Sequence, residues 1–139
     1  MKRIAYAAVL VTAALGLTAS ASQGATFAYS FTTNTGYTGA GEFAYDAATA
    51  PAVIIESGSG QTTSLLSLSL AVFSPSSTLL DSGSAVIGGV SSDPYLGFAY
   101  NTATLALSLM DNNTTSSGND VSYFVKLSAS VAVLYAKPR

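Results

Sequence analysis

The stretch "GYTGAGEFAYD", residues 36–46, fits two nucleotide-binding spacings and one hairpin, and the choice among them decides the fold. Gly36 and Gly41 have the spacing of phosphate-loop glycines, and Gly39, Gly41 and Ala44 fit the looser G-x-G-x-x-[G/A] form. A phosphate loop needs Lys and then Ser or Thr after its last glycine, to neutralise the terminal phosphates and to hold magnesium. Glu42 and Phe43 stand there instead, so the charge is reversed. The dinucleotide fingerprint needs a helix that opens at the glycines. The residues after these glycines alternate as a strand does, with Phe43 and Tyr45 on one side and Glu42, Ala44 and Asp46 on the other. The stretch therefore reads as a β-hairpin linking "TFAYSFTT" to "GEFAYD", its glycines supplying positive φ and close approach. No nucleotide is expected.

The same period of two runs through the rest of the chain. "TFAYSFTT" sets Phe27, Tyr29 and Phe31 on one face; "SLLSLSLAVF" sets Leu66, Leu68, Leu70 and Val72 on one face. From Val121 to Tyr135 every odd position is apolar, while Ser122, Lys126, Ser128 and Ser130 lie opposite, so this segment reads as one long strand or two joined by a bend. Clusters such as "ESGSGQTT", "SPSS", "SSDP" and "DNNTTSSGND" punctuate these runs as turns. No stretch after the N-terminus shows a capped helical stripe. The fold class expected is all-β, an antiparallel sandwich or jelly roll of about eight strands. "FAYDAAT" at 43–49 echoes "FAYNTAT" at 98–104: an aromatic pair anchors each strand in the core, and Asp46 or Asn101 then starts a turn.

Residues 1–21 read as a cleaved signal peptide, with Lys2 and Arg3, an apolar run from Ile4 to Leu17, and the small-residue site Ala19-Ser20-Ala21; the cut could fall as late as residue 25. Residues 22–139 then form a single β domain in a secreted or envelope protein, with no membrane span expected after signal removal. There is no cysteine, so packing alone must stabilise the fold. The whole chain carries 5 basic and 7 acidic residues; removing Lys2 and Arg3 leaves seven acids against Lys126, Lys137 and Arg139. Nucleic acid is not an expected partner of such a surface, and an electrostatic ligand would be a cation. Lys126 is expected to guard a sheet edge against pairing, and the protein to be a monomer.

Histidine is absent, which removes the commonest general base and the usual partner of a serine nucleophile. Glu42 and Asp46 are the nearest same-face acids in one predicted strand, but about 13 Å apart along it. Glycosidase carboxylates sit about 5 to 9.5 Å apart, so this pair does not fit and no enzyme is expected. "DNNTTSSGND" gathers oxygen donors suited to calcium, with Asp111, Asn113 and Asp120 as candidate ligands, beside the plainer reading of a polar hairpin loop. Asn112 and Asn113 also lie in N-x-T sequons. Tyr37 and Tyr95 are candidates for an exposed ligand surface facing polysaccharide or another surface protein; Tyr29, Tyr45, Tyr100, Tyr123 and Tyr135 are assigned to the core.

A signal peptide followed by "ATFAYSFTT", "GYTGAGEFAYD" and "SLLSLSLAVFS" resembles the N-terminal ectodomains of exosortase-sorted bacterial surface proteins, the PEP-CTERM group. The resemblance rests on Gly39, Gly41, Phe43, Tyr45 and Asp46 and covers about the first half of the mature chain. That group ends in a Pro-Glu-Pro signal, an apolar helix and an arginine cluster, whereas this chain stops at "YAKPR" and is expected to be a secreted relative or a truncated reading frame. The resemblance implies a non-enzymatic structural or adhesive β-sandwich of an envelope or extracellular matrix, with no catalytic residues. Two alternatives stand beside it: a small outer-membrane barrel, since lipid-facing strands also alternate, and a calcium-dependent carbohydrate-binding module.

Overall fold

The computed structural model describes residues 2–8, 14–16, 25–114, 121–128 and 131–138. Its strands are β1 (Lys2–Ala8), β2 (Ala14–Gly16), β3 (Ala25–Thr32), β4 (Thr38–Tyr45), β5 (Val53–Ser57), β6 (Gly60–Gln61), β7 (Leu65–Phe73), β8 (Leu79–Ile87), β9 (Val90–Ser91), β10 (Gly97–Asn101), β11 (Ala106–Asn113), β12 (Val121–Ser128) and β13 (Val131–Pro138). They form two antiparallel sheets packed face to face. One has the order β1-β13-β12-β11-β10-β5; the other has the order β2-β3-β4-β7-β8-β9-β6. The described residues contain no helix, and the sheets do not close on each other. The architecture is the expected all-β sandwich, not the closed barrel of the alternative reading. In the uncut chain, Lys2–Ala8 lies along β13 and Ala14–Gly16 along β3. A cut after Ala21 would remove both and leave β13 and β3 as edges on that side; the cut site itself lies outside the described residues.

The hairpin expected from "GYTGAGEFAYD" is present, joining β3 to β4 through residues 33–37. Its turn is closed by Thr33 N–H donating to the Tyr37 carbonyl at 2.8 Å and Gly36 N–H donating to the Thr33 carbonyl at 3.1 Å. Gly36 alone of the three glycines has the positive φ, +88°. Gly39 and Gly41 supply the expected close approach and not a positive φ: both lie within β4, where a Cβ would fall 2.2 Å from the Phe31 ring and 2.1 Å from the Ser69 carbonyl oxygen. They leave room for the Phe31 and Tyr29 rings to lie across the strand, and the Tyr29 hydroxyl donates to the Ser69 carbonyl through that gap.

The two "FAY" echoes meet in the core. Phe43 on β4 packs 5.1 Å from Phe98 and 4.9 Å from Tyr100 on β10, edge to face across the two sheets, with Phe27 and Tyr45 stacked alongside. Beyond each pair the expected turn forms: Ala48 N–H donates to Asp46 at 3.0 Å, and Ala103 and Thr104 N–H both donate to Asn101 at 2.9 Å.

Two facings differ from the alternation read in the sequence. A register shift between Ala44 and Tyr45 turns Leu65 into the core and leaves Leu66 half-buried. A bulge inserts one residue and so reverses the facing beyond it. At the C-terminal end there are two strands, and the inner parity changes between them: Val125 and Leu127 are buried on β12, but even-numbered Leu134 is buried on β13, opposite Val125. Tyr123 is partly buried against the core; the side chain of Tyr135 lies outside the described ones.

Candidate functional site

Part of the polar cluster expected to mark a site lies inside. "DNNT" does not form an exposed loop start: Asn112, Asn113 and Thr114 are buried at the end of β11, together with Asp81 from β8 and Asp93 from the loop between β9 and β10. The Thr114 hydroxyl donates to Asp81 Oδ2 and accepts the Tyr123 N–H at 2.9 Å, which ties β8 in one sheet to β11 and β12 in the other. Asn112 lies near the Tyr29 hydroxyl. Burial pushes the Tyr29 hydroxyl pKa well above its ordinary value, the Asn112 contact opposing this in part. Tyr100 is pushed up to about 12 by burial and by the nearby Tyr45 hydroxyl. These phenols stay neutral at any physiological pH.

Of the calcium candidates, Asp111 and Asn113 are described and Asp120 lies outside the described residues. Asp111 is half-buried, its Oδ2 3.7 Å from the exposed Lys126 ammonium. Asn113 is enclosed, its side chain facing the Asp93 carboxyl group. No group of three or more Asp, Glu, His or Cys that could hold a metal occurs among the described residues. Lys126 does not guard an edge, because β12 has β11 on one side and β13 on the other. That expectation came from its place opposite an apolar face, which says nothing about strand order.

Three buried acids were not singled out by the sequence reading. Glu56 on β5 turns inward. Its Oε1 accepts N–H bonds from Thr63 at 3.0 Å, Ser64 at 2.7 Å and Leu65 at 3.1 Å, and Oε2 accepts a further bond from Thr63 at 3.1 Å. Three consecutive amides thus hold one carboxylate and fasten the edge of one sheet to the start of β7 in the other. Asp81 is bound to Thr114 as above, and its Oδ1 accepts the Ser82 N–H at 2.9 Å. Asp93 shapes its loop: Oδ1 accepts the Tyr95 N–H at 2.8 Å, and its own N–H donates to Ser91 Oγ at 3.2 Å. Desolvation raises the Asp93 pKa, and the Asp111 charge raises it further, while the Tyr95 N–H and Asn113 pull it down.

The surface candidates separate. Tyr37 is partly buried and packs against the core. Tyr95 is 73% exposed. It stands on a rim where both sheets end: β5 closes one sheet, β9 and β6 close the other, and the loop carrying Tyr95 joins β9 to β10. Ile55 (71% exposed), Ile87 (68%), Val53 and Val90 are also exposed along this rim. An open groove of about 500 Å³ lies on the outer face of β4, β7 and β8, lined by small residues including Ala40, Ser69, Ala71 and Ser84, with Glu42 its one charge.

No protein-family model matches the chain, and comparison with curated proteins and with solved structures returns no similar one.

Proposed function

We propose that the chain is an exported, non-enzymatic β-sandwich of a bacterial envelope or extracellular matrix, a structural or adhesive module of the kind found in exosortase-sorted surface proteins. One observation carries this reading: Glu56, Asp81 and Asp93, the buried acids among the described residues, each bind amides or hydroxyls of the chain itself, Glu56 and Asp81 tying one segment to another and Asp93 shaping its own loop. Reactive chemistry at a cleft calls for acids that face a substrate. What this protein presents outward at its rim is apolar and aromatic, suited to contact with polysaccharide or with another surface protein. The test is to express the chain with its signal, fractionate the cells, purify without detergent, and screen against glycans with and without calcium. The protein is expected in periplasm or medium, with glycan binding independent of calcium and weakened by Tyr95→Ala. Recovery only from detergent-extracted outer membrane overturns the reading. Binding that needs calcium and is lost in Asp111→Asn replaces it with the calcium-dependent module.

A further inference from the structure

We propose that the β5 edge is a self-association site, at which two copies pair their β5 strands antiparallel about a two-fold axis and continue the six-stranded sheet across both. The proposal deepens the structural reading above and rests on it, naming a second copy of the chain as the partner.

The edge itself dictates the form of its occupant. Among the described residues β5 pairs with β10 alone, so one row of its backbone N–H and C=O groups from Val53 to Ser57 faces away from the sheet. Such a row, hydrated in the free chain, is matched group for group by another extended strand. Three devices that guard natural edges are missing here: Val53–Ser57 contains no Lys and no Pro, and its pairing with β10 runs without a register shift. The one inward charge, Glu56, is held by the amides of residues 63–65 and does not reach the edge.

Charge selects a like partner. Along the rim, over residues 53–61 and 87–95, the acids are Glu56 and Asp93, both buried, and there is no basic residue. Two copies of an acidic chain meet here without like-charge repulsion, whereas Glu42, Asp46 and Asp111 place acids on other surfaces. A partner recognised through charge would find nothing to bind. A two-fold axis perpendicular to the sheet keeps the same face outward in both copies. Centred on Ile55, it sets Ile55 beside Ile55 on the outer face, covering the second most exposed large apolar side chain of the described residues. A pairing of five-residue strands covers less than the roughly 1,200 Å² of a standard stable interface, so the dimer is weak and forms where copies are crowded.

Sedimentation equilibrium of the exported chain from about 10 μM to about 1 mM tests this, together with hydrogen exchange at both ends of that range. The expected result is a concentration-dependent dimer, with slowed exchange confined to the β5 amides. Ile55→Lys should weaken the dimer by about tenfold or more without lowering the melting temperature, since that side chain is exposed. Ile87→Lys, equally exposed but off β5, should leave it unchanged. A monomer across the whole range overturns the proposal, as does a dimer that survives Ile55→Lys or protects Val131–Pro138 instead. A monomer that is still exported and still binds glycan leaves the proposed function standing, whereas recovery in outer membrane defeats that function whatever the dimer does.

Discussion

Glu56, on β5, and Asp93, on the loop that crosses from β9 to β10, are both acids closed inside the sandwich, and the chain treats them differently. Glu56 meets three consecutive amides, and both of its oxygens are bonded. Asp93 has one backbone amide at Oδ1, while its buried Oδ2 completes no hydrogen bond among the described residues and Asp111 lies near enough to oppose its charge. Burial alone therefore does not set the worth of an interior carboxylate. The number of donors aimed at it does.

The largest effect should come from an interior acid with no donors at all. Val125→Asp places a carboxylate on the buried face of β12 and should cost about 4 kcal/mol or more, on the order of the whole stability of a marginal domain. Urea titration followed by circular dichroism would show it, and a loss under about 1 kcal/mol would break the comparison. Next comes Glu56→Ala, which leaves the amides of residues 63–65 without their acceptor and should cost about 3 kcal/mol. Glu56→Gln keeps an Oε1 acceptor and should recover about half of that.

Asp93→Asn should change stability by less than about 1 kcal/mol at neutral pH, because the carboxylate it removes is under-bonded. The sharper readout is pH. The folded pKa of Asp93 is raised above its unfolded value, so between the two the folded state binds more protons than the unfolded one. Stability contributed by Asp93 is then full below the unfolded value, about 3.9, and is lost as pH rises through the folded value. Melting temperature measured upward from about pH 3.5 should fall across that window in the wild type and fall less in Asp93→Asn. The smallest effect belongs to Lys126→Met. The ion pair with Asp111 is at the surface, so the loss should stay under about 0.5 kcal/mol, while the less compensated Asp111 charge steepens the Asp93 slope.

Alternation in the sequence was enough to place Phe27, Tyr29 and Phe31 on one buried face and to pair the "FAY" segments with turns at Asp46 and Asn101, because strand facing and turn onset are local properties. Strand order is not local, and so the position of Lys126 between two neighbours was hidden. The polar core was hidden for the same reason. "DNNT" has the composition of a turn, and only Tyr29, Asp81 and Asp93, distant in sequence, make an interior place for it. Glu56 did leave a signal: an acid at the end of an apolar strand, a Gly-Ser-Gly turn, then Thr63 and Ser64 placed to return their amides. The edge left one too, since Val53, Ile54 and Ile55 are apolar in succession and a strand can bury only alternate residues.

Burial of Asn112 and Asn113 gives the two overlapping sequons a use as a clock. A glycosyltransferase must take an asparagine side chain into its own active site, and in the finished sandwich neither amide is accessible. In a host that glycosylates exported proteins, the fraction of chains carrying sugar at these positions would record how long β11 waits before β8 docks over it. Variants that delay the closing of the sandwich would then leave the cell more heavily glycosylated than the parent.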